Sequence, residues 1–117
     1  MVSRTKWTNS DIVTSTGIMV SARGAGANLR GLTYLDYRPD LIVVDDLEDQ
    51  ENVNTPGQRE KLENWFDKDV LGLPGPDGAD VFLVGTILHY DGLLKKKIDK
   101  WRGRTHRAIL DVEAKEV

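Results

Sequence analysis

With 117 residues, 39% of them apolar and 30% charged, the chain has the make-up of one globular domain that can bury about two thirds of its unfolded surface. Its net charge of −3 argues against a general nucleic-acid binder, and the lack of cysteine excludes disulfides and thiolate metal sites. No apolar run approaches a membrane span and no signal-peptide pattern opens the chain, so the expected setting is a reducing cytoplasm without membrane contact.

Lys6 to Ala22 reads as a β-hairpin. Ile12 to Thr14 favours extended backbone, Ser15-Thr16-Gly17 supplies a turn, and Ile18 to Ala22 returns. Arg23 to Gly31 is a glycine-rich connector with two arginines, and it lacks the Gly-Lys-Ser/Thr ending of a phosphate loop. Arg38-Pro39-Asp40 then introduces Leu41-Ile42-Val43-Val44, whose unbroken apolar character predicts a strand buried on both faces of a parallel sheet. Asp45 and Asp46 fall at its carboxyl end, where the ligands of such sheets gather. A carboxylate beside a dry core is costly unless paired or holding a metal; a turn or a helix cap is the plainer role.

Thr55-Pro56-Gly57-Gln58 is a helix start, with Thr as N-cap, Pro at N1 and Gln at N3 in a capping box. Leu62, Trp65, Phe66 and Val70 recur at helical spacing and predict a core-facing stripe, which Gly72 and the Pro74 to Gly78 stretch end. Val81 to Val84 predicts a second buried strand, closing on Gly85-Thr86. His89-Tyr90-Asp91 leads into another helix, with Leu94, Ile98 and Trp101 inward, and Arg104 to Leu110 predicts a last strand before a frayed end. The unit from Leu41 to Val84 should be a right-handed parallel crossover. Acids crowd positions 36 to 51, which suits a metal site; Lys95 to Arg107 is basic, which suits phosphates, a partner subunit or simply a solvated helix face.

Two neighbouring strands, the first ending Asp-Asp and the second Gly-Thr, resemble an additional-strand P-loop ATPase with its Walker B acid and phosphate sensor. Leu29-Arg30-Gly31, Arg38-Pro39-Asp40 with Asp45-Asp46, and Val84-Gly85-Thr86 with His89 and Asp91 look, in order and spacing, like the large terminase subunit of tailed bacteriophages. That family packages viral DNA into preformed heads. The resemblance runs from about Trp7 to Leu110 and implies an α/β chain: a partial P-loop NTPase of RecA-like, three-layer type, with a mostly parallel sheet and the N-terminal hairpin. Residues 1–117 would be the Walker B and coupling-motif half of the ATPase domain.

The resemblance also implies roles. Asp45 would hold Mg²⁺, with ATP as substrate, and Asp46 or Glu48 would activate the attacking water. Members of the family mostly carry Glu where Asp46 stands. Arg30 would lie near the nucleotide, Arg23 would be a weaker charge-stabilising candidate, and Gly85 and Thr86 would couple phosphate release to movement. Phosphoryl transfer rests on positioning and electrostatics, which such residues supply. The implied partners are double-stranded viral DNA, a portal and a small terminase subunit, in the host cytoplasm.

The chain departs from the family in holding neither a Walker A loop nor the nuclease acids. A further segment or chain with the phosphate cradle is therefore an expected partner, hydrolysis by the chain alone is not expected, and the Val81 to Val84 strand should have an unpaired edge. Two other readings stand beside this one. Asp45, Asp46, Glu48 and Asp49 could form a two-metal nuclease or phosphatase site, with His89 as a further candidate. Alternatively, the chain is a non-catalytic α/β assembly module that binds a partner through its sheet edge or basic helix.

Overall fold

The structure, a computed structural model, describes residues 6–30 and 32–107. The described chain opens with a three-stranded antiparallel sheet of β1 (Lys6–Trp7), β2 (Asp11–Val13) and β3 (Met19–Ser21), in that spatial order. Ile12 pairs with Val20 and Val13 with Met19, so the expected hairpin is present and β1 extends it. Its turn needs Gly17, whose φ of +87° is strained for other residues, and the Thr14 hydroxyl accepts the Ile18 N–H at 3.0 Å.

The second sheet is a parallel pair, β4 (Leu41–Asp45) and β5 (Asp80–Val84), in register from Leu41 opposite Asp80 to Asp45 opposite Val84. Helix α1 (Pro56–Trp65) and a π-helical turn over Phe66–Val70 make the crossover. Thr55 caps α1 by accepting the Gln58 N–H at 3.2 Å, with Pro56 at the start, where its missing N–H costs nothing. The reciprocal half of the capping box differs from expectation: Gln58 Oε1 accepts from the Thr55 hydroxyl at 3.2 Å. In the π-turn the Leu71 N–H reaches back five residues to the Phe66 carbonyl at 3.0 Å. Gly72 follows because a side chain there would strike the Lys68 carbonyl.

The predicted stripe forms the core. Phe66 is fully buried, and Val70, Leu73, Leu29 and Leu93 close around it. Trp65 packs on this cluster and donates its indole N–H to the Ala27 carbonyl at 2.9 Å, which fastens the glycine-rich connector to the helix. Helix α2 (Leu93–Lys100) completes the layer, and Trp101 meets Phe66 with ring centroids 6.0 Å apart. Leu93 is its most buried residue, one position ahead of the expected stripe of Leu94, Ile98 and Trp101.

Two expectations are corrected. The strands are not buried on both faces: Ile42, Val44 and Leu83 pack on the core, whereas Leu41, Val43, Phe82 and Val84 are each more than half exposed. The helical elements all cover one side of the pair, so an apolar run that reads as doubly buried is singly buried among the described residues. The chain is thus a small α/β protein with one parallel pair and one antiparallel sheet, and among the described residues each strand of the pair has an open edge. Nor do residues 104–107 form a strand; the rest of that predicted element and the last seven residues lie outside the described residues.

One turn has no forewarning in the residue types. Tyr34 and Tyr37 bridge across Leu35 and Asp36, which take φ of +48° and +65°, the signs of a type I′ turn. Aspartate tolerates that region; leucine does not, and Leu35 is 71% exposed, so no burial offsets the strain. Leu35→Gly is expected to raise stability by about 1 kcal/mol, read as a higher urea midpoint at unchanged slope.

Candidate functional site

The carboxyl ends of β4 and β5 form one rim. Asp45 lies opposite Val84, and the Asp46 N–H donates to the Val84 carbonyl at 2.8 Å. Gly85 faces the Asp46 backbone so closely that an added Cβ would lie 3.7 Å from the Asp46 Cα, with Thr86 next in the chain. The two strand endings that sequence reasoning paired are therefore neighbours on one edge. Asp46 has φ +51°, a left-handed conformation that aspartate adopts more readily than most residues, and this turns the chain off the strand toward Leu47 and Glu48. Asp45, Asp46 and Thr86 are exposed, and their side chains make no hydrogen bond or ion pair with any described residue.

Glu48 behaves differently. It is buried, and its two carboxylate oxygens accept the backbone N–H groups of Leu93 at 3.1 Å and Leu94 at 2.7 Å. Those are donors of the first turn of α2, whose own N-cap, Gly92, has no side chain to satisfy them. A negative charge also complements the positive end of the helix. Gly92 leaves room at this place, because a side chain there would crowd Glu48 Oε2 and the His89 carbonyl. An acid 45 residues upstream of the helix it caps leaves no local pattern, so the sequence held no sign of this pairing.

The other acids near the rim are used locally. Asp49 accepts the Asn52 N–H at 2.7 Å and Asn52 returns the bond at 2.8 Å, which closes a turn. His89 Nδ1 accepts the Asp91 N–H at 3.0 Å while its ring stacks on Tyr90, the helix-start role expected of a lone histidine there. Asp91 sits 3.5 Å from both Arg59 Nε and Lys96 Nζ, and Lys96 reaches Glu63 at 2.6 Å, so α1 and α2 are laced together. The hydrogen bond to Glu63 chiefly holds the Lys96 ammonium above the usual lysine range, against slight desolvation. Lys95 pairs with Asp99 and Lys97 with Asp67. Three of the seven lysines and arginines from Lys95 to Arg107 are thus paired within the chain.

Arg30 is not brought to the rim. It shares with Arg38 and Lys68 a separate open cleft of about 400 Å³ beside the approach to β4, and Arg23 pairs with Asp11 in the antiparallel sheet. At the rim itself, between Glu48, Gly85, Thr86 and Leu94, the crevice holds only about 10 Å³, room for one water. A larger ligand would lie outside the strand ends, against Asp45, Asp46 and Thr86. Among the described residues no three His, Asp or Glu side chains gather as a ready-made metal cage. No helix among them is long and apolar enough to cross a membrane. Comparison with protein families, with curated proteins and with solved structures finds no match to this chain.

Proposed function

We propose that this chain is the Walker B and coupling-motif half of a phage terminase large-subunit ATPase domain, a partial RecA-like P-loop NTPase that serves the packaging of viral DNA. The observation that supports it is the shared rim: a strand ending in Asp45-Asp46 beside a parallel strand ending in Gly85-Thr86. In this reading Asp45 holds Mg²⁺, a hard cation that takes one carboxylate plus water and phosphate oxygens, and a carboxylate without a partner among the described residues suits it. The cation would supply charge neutralisation on the phosphates of ATP. Asp46, at the bend of the rim, orients the attacking water, and Thr86 offers a hydroxyl to the terminal phosphate. Glu48 is withdrawn from this set, because both of its oxygens already cap α2. Arg30 sits too far into another cleft to be assigned a part here. Double-stranded DNA, a portal and a small terminase subunit would be the partners of the completed motor.

The 117 residues include no Gly-Lys-Ser/Thr cradle, so turnover requires one supplied by further polypeptide. Titration calorimetry of the chain alone with Mg-ATP is expected to give a dissociation constant no tighter than about 1 mM, equivalent to about −4 kcal/mol. Addition of a polypeptide carrying the cradle should tighten binding and start hydrolysis. Micromolar binding by the chain alone, or no hydrolysis with any such polypeptide, overturns the reading. The nuclease alternative loses its geometry, since Glu48 and Asp49 are engaged elsewhere.

A further inference from the structure

The outer face of the parallel pair carries an ordered pattern. Alternation puts Leu41, Val43 and Asp45 of β4 on it, and register sets Asp80, Phe82 and Val84 of β5 beside them, row by row. The result is four exposed apolar side chains with a carboxylate at each of two diagonal corners, Asp80 at the amino end and Asp45 at the carboxyl end. Neither carboxylate has a partner among the described residues. Leu41, Val43, Phe82 and Val84 are 57%, 61%, 56% and 55% exposed, a contiguous apolar patch of a kind that soluble surfaces keep small.

We infer that this face is a docking surface for an amphipathic helix of another polypeptide, one whose apolar stripe is bracketed by a basic residue at each end. Charge decides the occupant. A second copy of this chain does not fit: a two-fold stack of two such faces, with strands either parallel or antiparallel, sets each carboxylate on an apolar side chain of the other copy. Burying unpaired carboxylates in that way is strongly unfavourable. A helix with lysine or arginine at both ends of its stripe pairs both acids while covering the patch. Faces of parallel strands are ordinarily covered by helices. The corners are about 14 Å apart, from four residue steps along a strand and one strand spacing across. Positions i and i+11 of a helix, about 16 Å apart on one side, bring two basic side chains within reach of them.

The surface does not require the ATPase reading but shares Asp45 with its cation site, so the test uses the full chain without nucleotide and with a chelator. The probes are two labelled 18-residue peptides with the same leucine stripe, one ending the stripe in Lys at both ends and the other in Glu, followed by fluorescence anisotropy. The Lys peptide should bind at least tenfold more tightly than the Glu peptide. Asp45→Asn with Asp80→Asn should erase that difference, and Phe82→Lys, an exposed change that leaves the circular dichroism unaltered, should weaken the Lys peptide at least tenfold. Equal binding of both peptides, or indifference to the face substitutions, overturns the inference. So does a micromolar dimer of the chain in sedimentation equilibrium that Val43→Lys abolishes, since the occupant would then be a second copy.

Discussion

Glu48→Ala is expected to lower the stability of the fold by about 3 kcal/mol, a large share of what a marginal domain has. The truncation leaves the N–H groups of Leu93 and Leu94 without acceptors at a buried helix start and opens a void beneath Gly92. It also removes the negative charge that faces the helix terminus. Glu48→Gln keeps one acceptor oxygen and the side-chain volume, so about half of the loss should return. Urea denaturation followed by far-ultraviolet circular dichroism measures both. The pair of variants separates a structural carboxylate from a catalytic one: a water-activating residue would leave the midpoint unmoved and change only turnover.

Asp45→Asn carries the largest functional effect. With a phosphate cradle supplied, steady-state ATP hydrolysis is expected to fall by about 10³-fold, roughly 4 kcal/mol of transition-state stabilisation. An exposed side chain without partners among the described residues gives the fold little, so the variant should unfold at the wild-type denaturant midpoint. Asp46→Asn should cost about 10²-fold or more as a lost general base, while Asp46→Glu retains the carboxylate and most of the rate. Full turnover in Asp45→Asn would remove the metal assignment, and full turnover in Asp46→Asn would remove the base.

What could be read from the residues was local or periodic. Thr55-Pro56 announces its helix because capping is a contact across three residues, and Leu62, Phe66 and Val70 announce the core because helical spacing repeats. The strand endings could be paired because a crossover between two apolar runs has few arrangements. The one-sided exposure of β4 and β5 could not be read, since both alternating sets of positions are apolar and a core strand and an uncovered one share that composition. The sites of Glu48 and Arg30 depend on chain segments that meet only after folding. Leu35 was opaque for another reason: its backbone conformation opposes its own preference, and Tyr34 and Tyr37 close the turn regardless.

The glycine at position 92 has a genetic consequence. Its missing side chain leaves the room that Glu48 Oε2 occupies, so what position 92 can carry depends on residue 48. A methyl group introduced at 92 would lie 2.6 Å from Glu48 Oε2 and 3.1 Å from the His89 carbonyl, so it displaces the acid from its place, and shortening residue 48 relieves the first contact and not the second. Drift at position 92 is therefore coupled to residue 48, although the two lie 44 positions apart.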